Sequence, residues 1–236
     1  MIKELALTAI MATTLTTNPA EAKVNIGKSD ISLQSNLMTP EALWAMGRIG
    51  GVAASPDGSK IAYTVSYYSV KENASHTVIY VMNADGTDNR QLTTSADSES
   101  EPAWLQTANG TLLAFITNGQ IWTMNADGSN RKQLTKDEDG IEGFKFSPDG
   151  KQVIIVKSLP FHEIIKKNPD DLPKATGRKI TDLMYRHWDH YVESIQHPFL
   201  ASVSEDGNID TASAKDILAG EPYECPGGMR NHSVNL

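Results

Sequence analysis

From Gly51 onward the chain is built of short apolar runs, rich in Val, Ile, Tyr and Phe and bounded by turns containing Asp, Gly and Pro. Alternation or clustering of apolar residues between such turns is the pattern of β-strands, and the spacing does not suit helices. A first unit of four strands is predicted over about 51–55, 60–66, 77–83 and 90–94, and a second over 101–105, 111–117, 120–125 and 132–135. The units repeat. Met82-Asn83-Ala84-Asp85-Gly86 returns 42 residues later as Met124-Asn125-Ala126-Asp127-Gly128, and Gln91-Leu92-Thr93 returns at the same interval as Gln133-Leu134-Thr135. Ser55-Pro56-Asp57-Gly58 returns after 92 residues as Ser147-Pro148-Asp149-Gly150, with Leu105 to Gly110 standing in place of a middle copy. Proline presets φ, aspartate hydrogen-bonds its own backbone and glycine accepts positive φ, so both motifs read as tight turns.

Four-stranded units of about 40–50 residues, none able to bury both faces alone, are the signature of propeller blades. The fold class predicted is all-β: a partial β-propeller of about three four-stranded blades, at about 48–96, 97–138 and 139–226 within a domain spanning 37–226. The third blade opens with strands at 141–146 and 152–157, resumes at 198–203 and closes near 215–218. Its interruption, 159–196, reads as a partly helical insertion, because Ile180, Leu183, Met184 and His187 keep helical spacing. Upstream, Thr39-Pro40-Glu41 predicts a short helix with an N-cap and an N1 proline, ending near Gly47 and packing Leu43 and Trp44 on the propeller. Residues 23–36 are expected to form a flexible leader and 227–236 an unstructured tail.

The N-terminus changes the picture of where the protein works. Lys3, the largely apolar Leu5 to Leu15, and Ala20-Glu21-Ala22 read as a signal peptide over 1–22 with cleavage between Ala22 and Lys23, which predicts a periplasmic or secreted protein. No later run reaches the roughly 18 apolar residues a membrane span needs. A net charge of −8 and a pI near 5.2 argue against nucleic acid as a partner. Cys225 is the single cysteine, so an internal disulfide framework and Cys-rich metal sites are excluded.

The order of Met38-Thr39-Pro40-Glu41, the Ser-Pro-Asp-Gly blades, the Met-Asn-Ala-Asp-Gly hairpins and Leu183-Met184-Tyr185-Arg186-His187-Trp188-Asp189 resembles the N-terminal half of secreted bacterial dipeptidyl peptidases of the prolyl oligopeptidase family, dipeptidyl-peptidase V-like. The similarity covers about 37–226. It implies a propeller of more blades, followed by an α/β-hydrolase domain with serine, aspartate and histidine, the propeller gating access of small peptide substrates. These 236 residues contain no G-x-S-x-G elbow, so no catalytic residue is assigned and the chain is read as truncated before the hydrolase domain. A non-enzymatic, TolB-like periplasmic propeller that binds a protein partner is the rival reading.

The densest chemistry lies in the insertion, where Arg186, His187, Asp189, His190 and Glu193 are interleaved with Tyr185, Trp188 and Tyr191. His187, His190 and Asp189 could ligate a metal, but no second cluster completes a shell, so no metal is assigned. The aromatics could plug the propeller rim. The resemblance adds a third use: a dipeptidyl peptidase holds the substrate's ammonium on a fixed carboxylate, which makes Arg186, Asp189 and Glu193 the candidate substrate-binding residues. No cofactor is expected, since Gly50-Gly51 and Gly227-Gly228 lack the context of a phosphate loop. Three blades cannot close a ring, so Ile61, Tyr63, Ile79 and Val81 of the first blade and Val153 and Ile155 of the third are expected to face outward and to favour self-association.

Overall fold

The computed structural model describes residues 26–32, 37–161, 165–166, 174, 176–177, 179–180, 186–187, 190–205 and 207–225. The signal peptide and its cleavage point at Ala22 and Lys23, together with the tail 227–236, lie outside these residues. A short helix, α1 (Pro40–Ala45), comes first, with Thr39 Oγ1 accepting the Ala42 N–H at 3.2 Å as its N-cap. Its exit differs from expectation. Met46, not Gly47, is the C-cap, in extended conformation, because the chain passes at once into the first strand.

Blade one comprises β1 (Arg48–Ala54), β2 (Lys60–Ser69), β3 (Ala74–Asn83) and β4 (Arg90–Gln91), an antiparallel meander in that order. Blade two repeats it with β5 (Ser100–Thr107), β6 (Gly110–Thr117), β7 (Gln120–Met124) and β8 (Lys132–Gln133). Blade three begins with β9 (Gly143–Phe146) and β10 (Gln152–Pro160). Two short pairs follow, β11 (Ile165–Lys166) with β12 (Lys179–Ile180) and β13 (Arg186–His187) with β14 (His190–Tyr191), before β15 (Ser194–Ser202) and β16 (Lys215–Asp216) complete the sheet. The helix expected through the insertion falls largely on 181–185, outside the described residues. Its described ends, Ile180 and His187, are extended and paired, because each is held by a cross-strand partner, Ile165 and His190.

The turns follow from their residues. Gly58 N–H bonds Ser55 C=O at 2.8 Å, Asp57 accepts Ser55 Oγ at 2.5 Å and the Ser59 N–H at 3.0 Å, and Gly58 has φ 70°. The copy at Ser147 to Gly150 is the same, with φ 69° at Gly150. There glycine is required twice over, since a Cβ would stand 2.7 Å from the Gln106 carbonyl oxygen of blade two. The Ala-Asp-Gly turns close through Gly86 to Asn83 and Gly128 to Asn125, each at 2.9 Å.

The core is the stacking of blade on blade. Ala62 and Ile79 of blade one meet Leu113, Phe115 and Met124 of blade two, all fully buried. On the other side of blade two, Ile116, Ile121 and Leu134 meet Val153, Ile155 and Ala201 of blade three. This corrects the expected faces. Ile79 packs toward blade two and Val153 and Ile155 pack toward it as well, while Val81 shares the face of its cross-strand partner Ala62. The face of blade one turned away from blade two carries Val65, Tyr67 and Val78 with Tyr63 and Tyr80, and Ile26 is buried against it. His76 fixes that contact, its Nδ1 lying 3.0 Å from the Ile26 carbonyl oxygen.

A meander assigns each loop to an end of its blade. The turns joining first to second and third to fourth strands share one end, here the turn face. The hairpins joining second to third strands, the links between blades and α1 share the other, the arm face.

Candidate functional site

The arm face takes its name from blade three. β10 and β15 stay in register from Gln152↔Ser202 to Pro160↔Ser194, whereas β9 pairs only with Val153 to Val156 and β16 only with Phe199 and Leu200. Lys157 to Pro160 and Ser194 to His197 therefore continue as a two-stranded ribbon beyond the sheet, about 13 Å at the usual rise per residue. The ribbon goes on one pair past the strand ends, because Phe161 N–H donates to the Glu193 carbonyl at 2.8 Å, and there the chain turns, with Glu193 N–H donating to the Tyr191 carbonyl at 3.0 Å.

Of the residues singled out in the sequence, Glu193 is placed best. It is exposed at the root of the insertion, its backbone held on both sides by those two bonds. Arg186 lies in β13, opposite Tyr191, so the tight β13–β14 pair brings Arg186 and Glu193 into one short segment of backbone. His187 stands opposite His190 in the same pair. Asp189 lies outside the described residues. Among the described residues no group of three or more His, Cys, Asp or Glu is arranged to hold a metal ion.

The root of the arm is braced by charge. Lys157 Nζ lies 2.9 Å from Asp137 and 3.3 Å from Asp139, both on the link from blade two, and 5.4 Å from the Phe199 ring centroid. Burial works against the Lys157 ammonium, but the two carboxylates outweigh it and hold its pKa above the usual lysine range. Opposite Lys157 in the register is His197, buried, with Nδ1 2.9 Å from Asp216 Oδ2. A buried Lys–Asp contact and a His–Asp contact on adjacent strands fix the direction in which the arm leaves the blade. The link between blades one and two is fixed in a comparable way. Glu99, 1% exposed, accepts Arg131 Nη2 at 2.5 Å and Ser95 Oγ at 2.9 Å, and the same guanidinium lies 4.9 Å from the Phe115 ring centroid. Sequence reasoning did not find these groups. For Lys157 alone there was a signal, a charged residue in phase with an apolar strand, following Val153 and Ile155.

The turn face is chemically different. Asp57, Asp85, Asp127 and Asp149 each accept a neighbouring Ser or Thr hydroxyl and a backbone N–H two residues on, which holds their carboxyls below the usual range, Asp57 at about 2. These carboxylates are committed to their own turns.

No family model matches the chain. It is 48% identical over 193 residues to dipeptidyl-peptidase 5 of Porphyromonas gingivalis, a match covering 80% of this chain and 28% of that protein. Dipeptidyl-peptidase 5 of Porphyromonas endodontalis is 37% identical over 204 residues, covering 85% of this chain and again 28% of the relative. The chain thus spans well under a third of the length of these curated relatives. Among solved structures, the acylaminoacyl peptidase of Pyrococcus horikoshii superposes with a TM-score of 0.51 at 11% identity, over 74% of this chain and 26% of that one, which supports the fold. The repeat, the stacked blades and this level of identity agree: these residues are homologous to a stretch of dipeptidyl-peptidase 5 and fold as propeller-like blades.

Proposed function

We propose that this chain acts as the substrate-gating part of a secreted or periplasmic serine dipeptidyl peptidase, with the arm of blade three presenting a carboxylate to the substrate's N-terminal ammonium. The observation that carries the reading is the β10–β15 ribbon, which lifts Glu193 clear of the sheet on a backbone bonded on both sides. A carboxylate carried on such a backbone sits at a defined point of the arm, from which it can form a charge-assisted hydrogen bond to an ammonium. Asp189 and Arg186 belong to the same insertion in sequence and are proposed as further substrate-binding residues. Division of the chain into a leader to Ala22, a propeller over 37–226 and a tail after it is part of the same proposal, as is export by that leader.

Bond cleavage is proposed to come from residues corresponding to the rest of the relatives' length, since no G-x-S-x-G elbow occurs within these 236 residues. The test is peptide binding by the chain. Titrating Ala-Ala-Ala-amide and its N-acetylated form into the protein, followed by NMR, should show weak binding of the free amine only. It should be reduced about tenfold or more in E193Q or D189N, the usual scale for losing a charge-assisted bond. Equal binding of both peptides, or of the free amine to wild type and both variants, would refute the carboxylate role.

A further inference from the structure

The face of blade one turned away from blade two has a counterpart inside the molecule. On blade two the cross-strand pair Phe115 and Trp122 packs against blade one, where it meets Ala62 and Ile79. Tyr80 stands one repeat of 42 residues before Trp122, and its cross-strand partner is Tyr63. Blade one therefore presents Tyr63 and Tyr80 to its open side as blade two presents Phe115 and Trp122 to blade one, with Val65, Tyr67 and Val78 alongside. The occupant of this seat is a single segment from before α1. Ile26, 7% exposed, packs into the cluster, and His76 Nδ1 donates to its carbonyl oxygen at 3.0 Å. His76 reaches that carbonyl from the same face, opposite Tyr67 in the register.

The chemistry of the seat suits an occupant that can leave. Phe115 is fully buried, whereas Tyr63 and Tyr80 are half-buried, and their hydroxyls are bonded within blade one, Tyr63 to Asn89 Oδ1 at 2.7 Å and Tyr80 to the Tyr67 hydroxyl at 2.8 Å. Tyrosines satisfied in this way can face water when the seat is empty. Closure also leaves His76 Nε2 buried with no partner among the described residues, a cost relieved when the segment lifts and water reaches the ring. Stacked repeats need a cap on their terminal unit. We propose that the segment at Ile26 is a displaceable cap, which places one β-branched side chain and one carbonyl where a preceding blade would lie, and that the seat takes the same two groups from a short peptide in trans. The seat lies at the opposite end of the stack from blade three and is independent of the ammonium reading.

The experiment uses the full chain, its Ile26→Asp and Ile26→Val variants, and a peptide of residues 24–30 blocked at both ends. The imidazole signals of His76, assigned by their loss in H76Q, are followed by NMR. I26D should move those signals, because a carboxylate does not enter the apolar cluster, while the indole N–H signals of Trp104 and Trp122 at the junction of blades one and two stay in place. I26V keeps the branched side chain and should match the wild type. The peptide should return the His76 signals of I26D toward their wild-type positions with a dissociation constant on the order of 1 mM. It should bind the wild type about tenfold more weakly, since the tethered segment already holds the seat. Unmoved His76 signals in I26D, displaced Trp104 and Trp122 signals, no binding of the peptide to I26D, or equal binding to I26D and wild type would overturn the proposal. So would equal binding of a peptide with aspartate in place of its isoleucine. Failure here leaves the Glu193 and Asp189 result untouched, because the peptide is blocked at its N-terminus and carries no α-ammonium.

Discussion

Phe115 is the residue whose removal tests the stacking of blades most directly. Its ring is fully buried between blades one and two, against Ala62, Ile79, Leu113 and Met124, and it carries the Arg131 guanidinium on its face at 4.9 Å. Phe115→Ala removes the ring and leaves a cavity that two sheets held by their own hydrogen bonds cannot collapse to fill, a loss of about 3–5 kcal/mol. The cation–π contact adds roughly 0.5–1 kcal/mol. Against the 5–15 kcal/mol that stabilises an ordinary domain, about 4 kcal/mol is a large share. With a urea m-value of about 2 kcal/mol/M, the midpoint should fall by about 2 M. Intrinsic fluorescence is a suitable probe, because Trp104 and Trp122 pack against the same cluster. Phe115→Leu keeps most of the volume and should cost no more than about 1.5 kcal/mol. A midpoint shift under about 0.5 M for Phe115→Ala, or equal losses for the two variants, would show that the blades are not held by this interface.

Two further outcomes are expected. Because Asp57, Asp85, Asp127 and Asp149 have folded pKa values below their unfolded ones, the stability they contribute is complete above about pH 5 and is lost as pH falls toward 2. Replacing Asp57 and Asp149 with asparagine should flatten that acid limb in denaturation curves taken across pH, and an unchanged limb would remove these turns from the acid response. If the leader directs export, N-terminal sequencing of the exported protein should begin at Lys23, whereas an intact Met1 on protein confined to the cytoplasm would refute the signal-peptide reading.

The strands and turns were legible because a period of two between Asp-Gly turns has few other readings. Lys60, Arg90, Lys132 and Gln152 begin strands where the pattern placed them. The direction each strand faces was not. In blade one Tyr63 and Thr64, and in blade three Ile154 and Ile155, are buried or half-buried alike, so alternation does not separate one face from the other. Ile79 was misassigned for that reason. Of the helical spacing read through Ile180, Leu183, Met184 and His187, the described ends Ile180 and His187 lie in short strands, and the partners that hold them there, Ile165 and His190, are not something periodicity can supply. Glu99 and Arg131, 32 residues apart, carried no signal before the fold brought them together. Trp44 and Arg48 sit four apart in sequence, but the helix ends at Ala45, and it is Tyr68 on another strand that joins them.

Separating the two ends of every blade makes one of them a socket for variable content. Four residues join β2 to β3 in blade one, between Ser69 and Ala74, whereas 33 join β10 to β15 at the same position in blade three, between Pro160 and Ser194. Loop-closure entropy grows only with the logarithm of length, so this roughly eightfold extension costs about 2 kcal/mol, less than Phe115 contributes between blades one and two. A peptide grafted between Ser69 and Ala74 should therefore be tolerated by blade one at similar cost, and the propeller can acquire new recognition loops at that pole without redesign of a single strand.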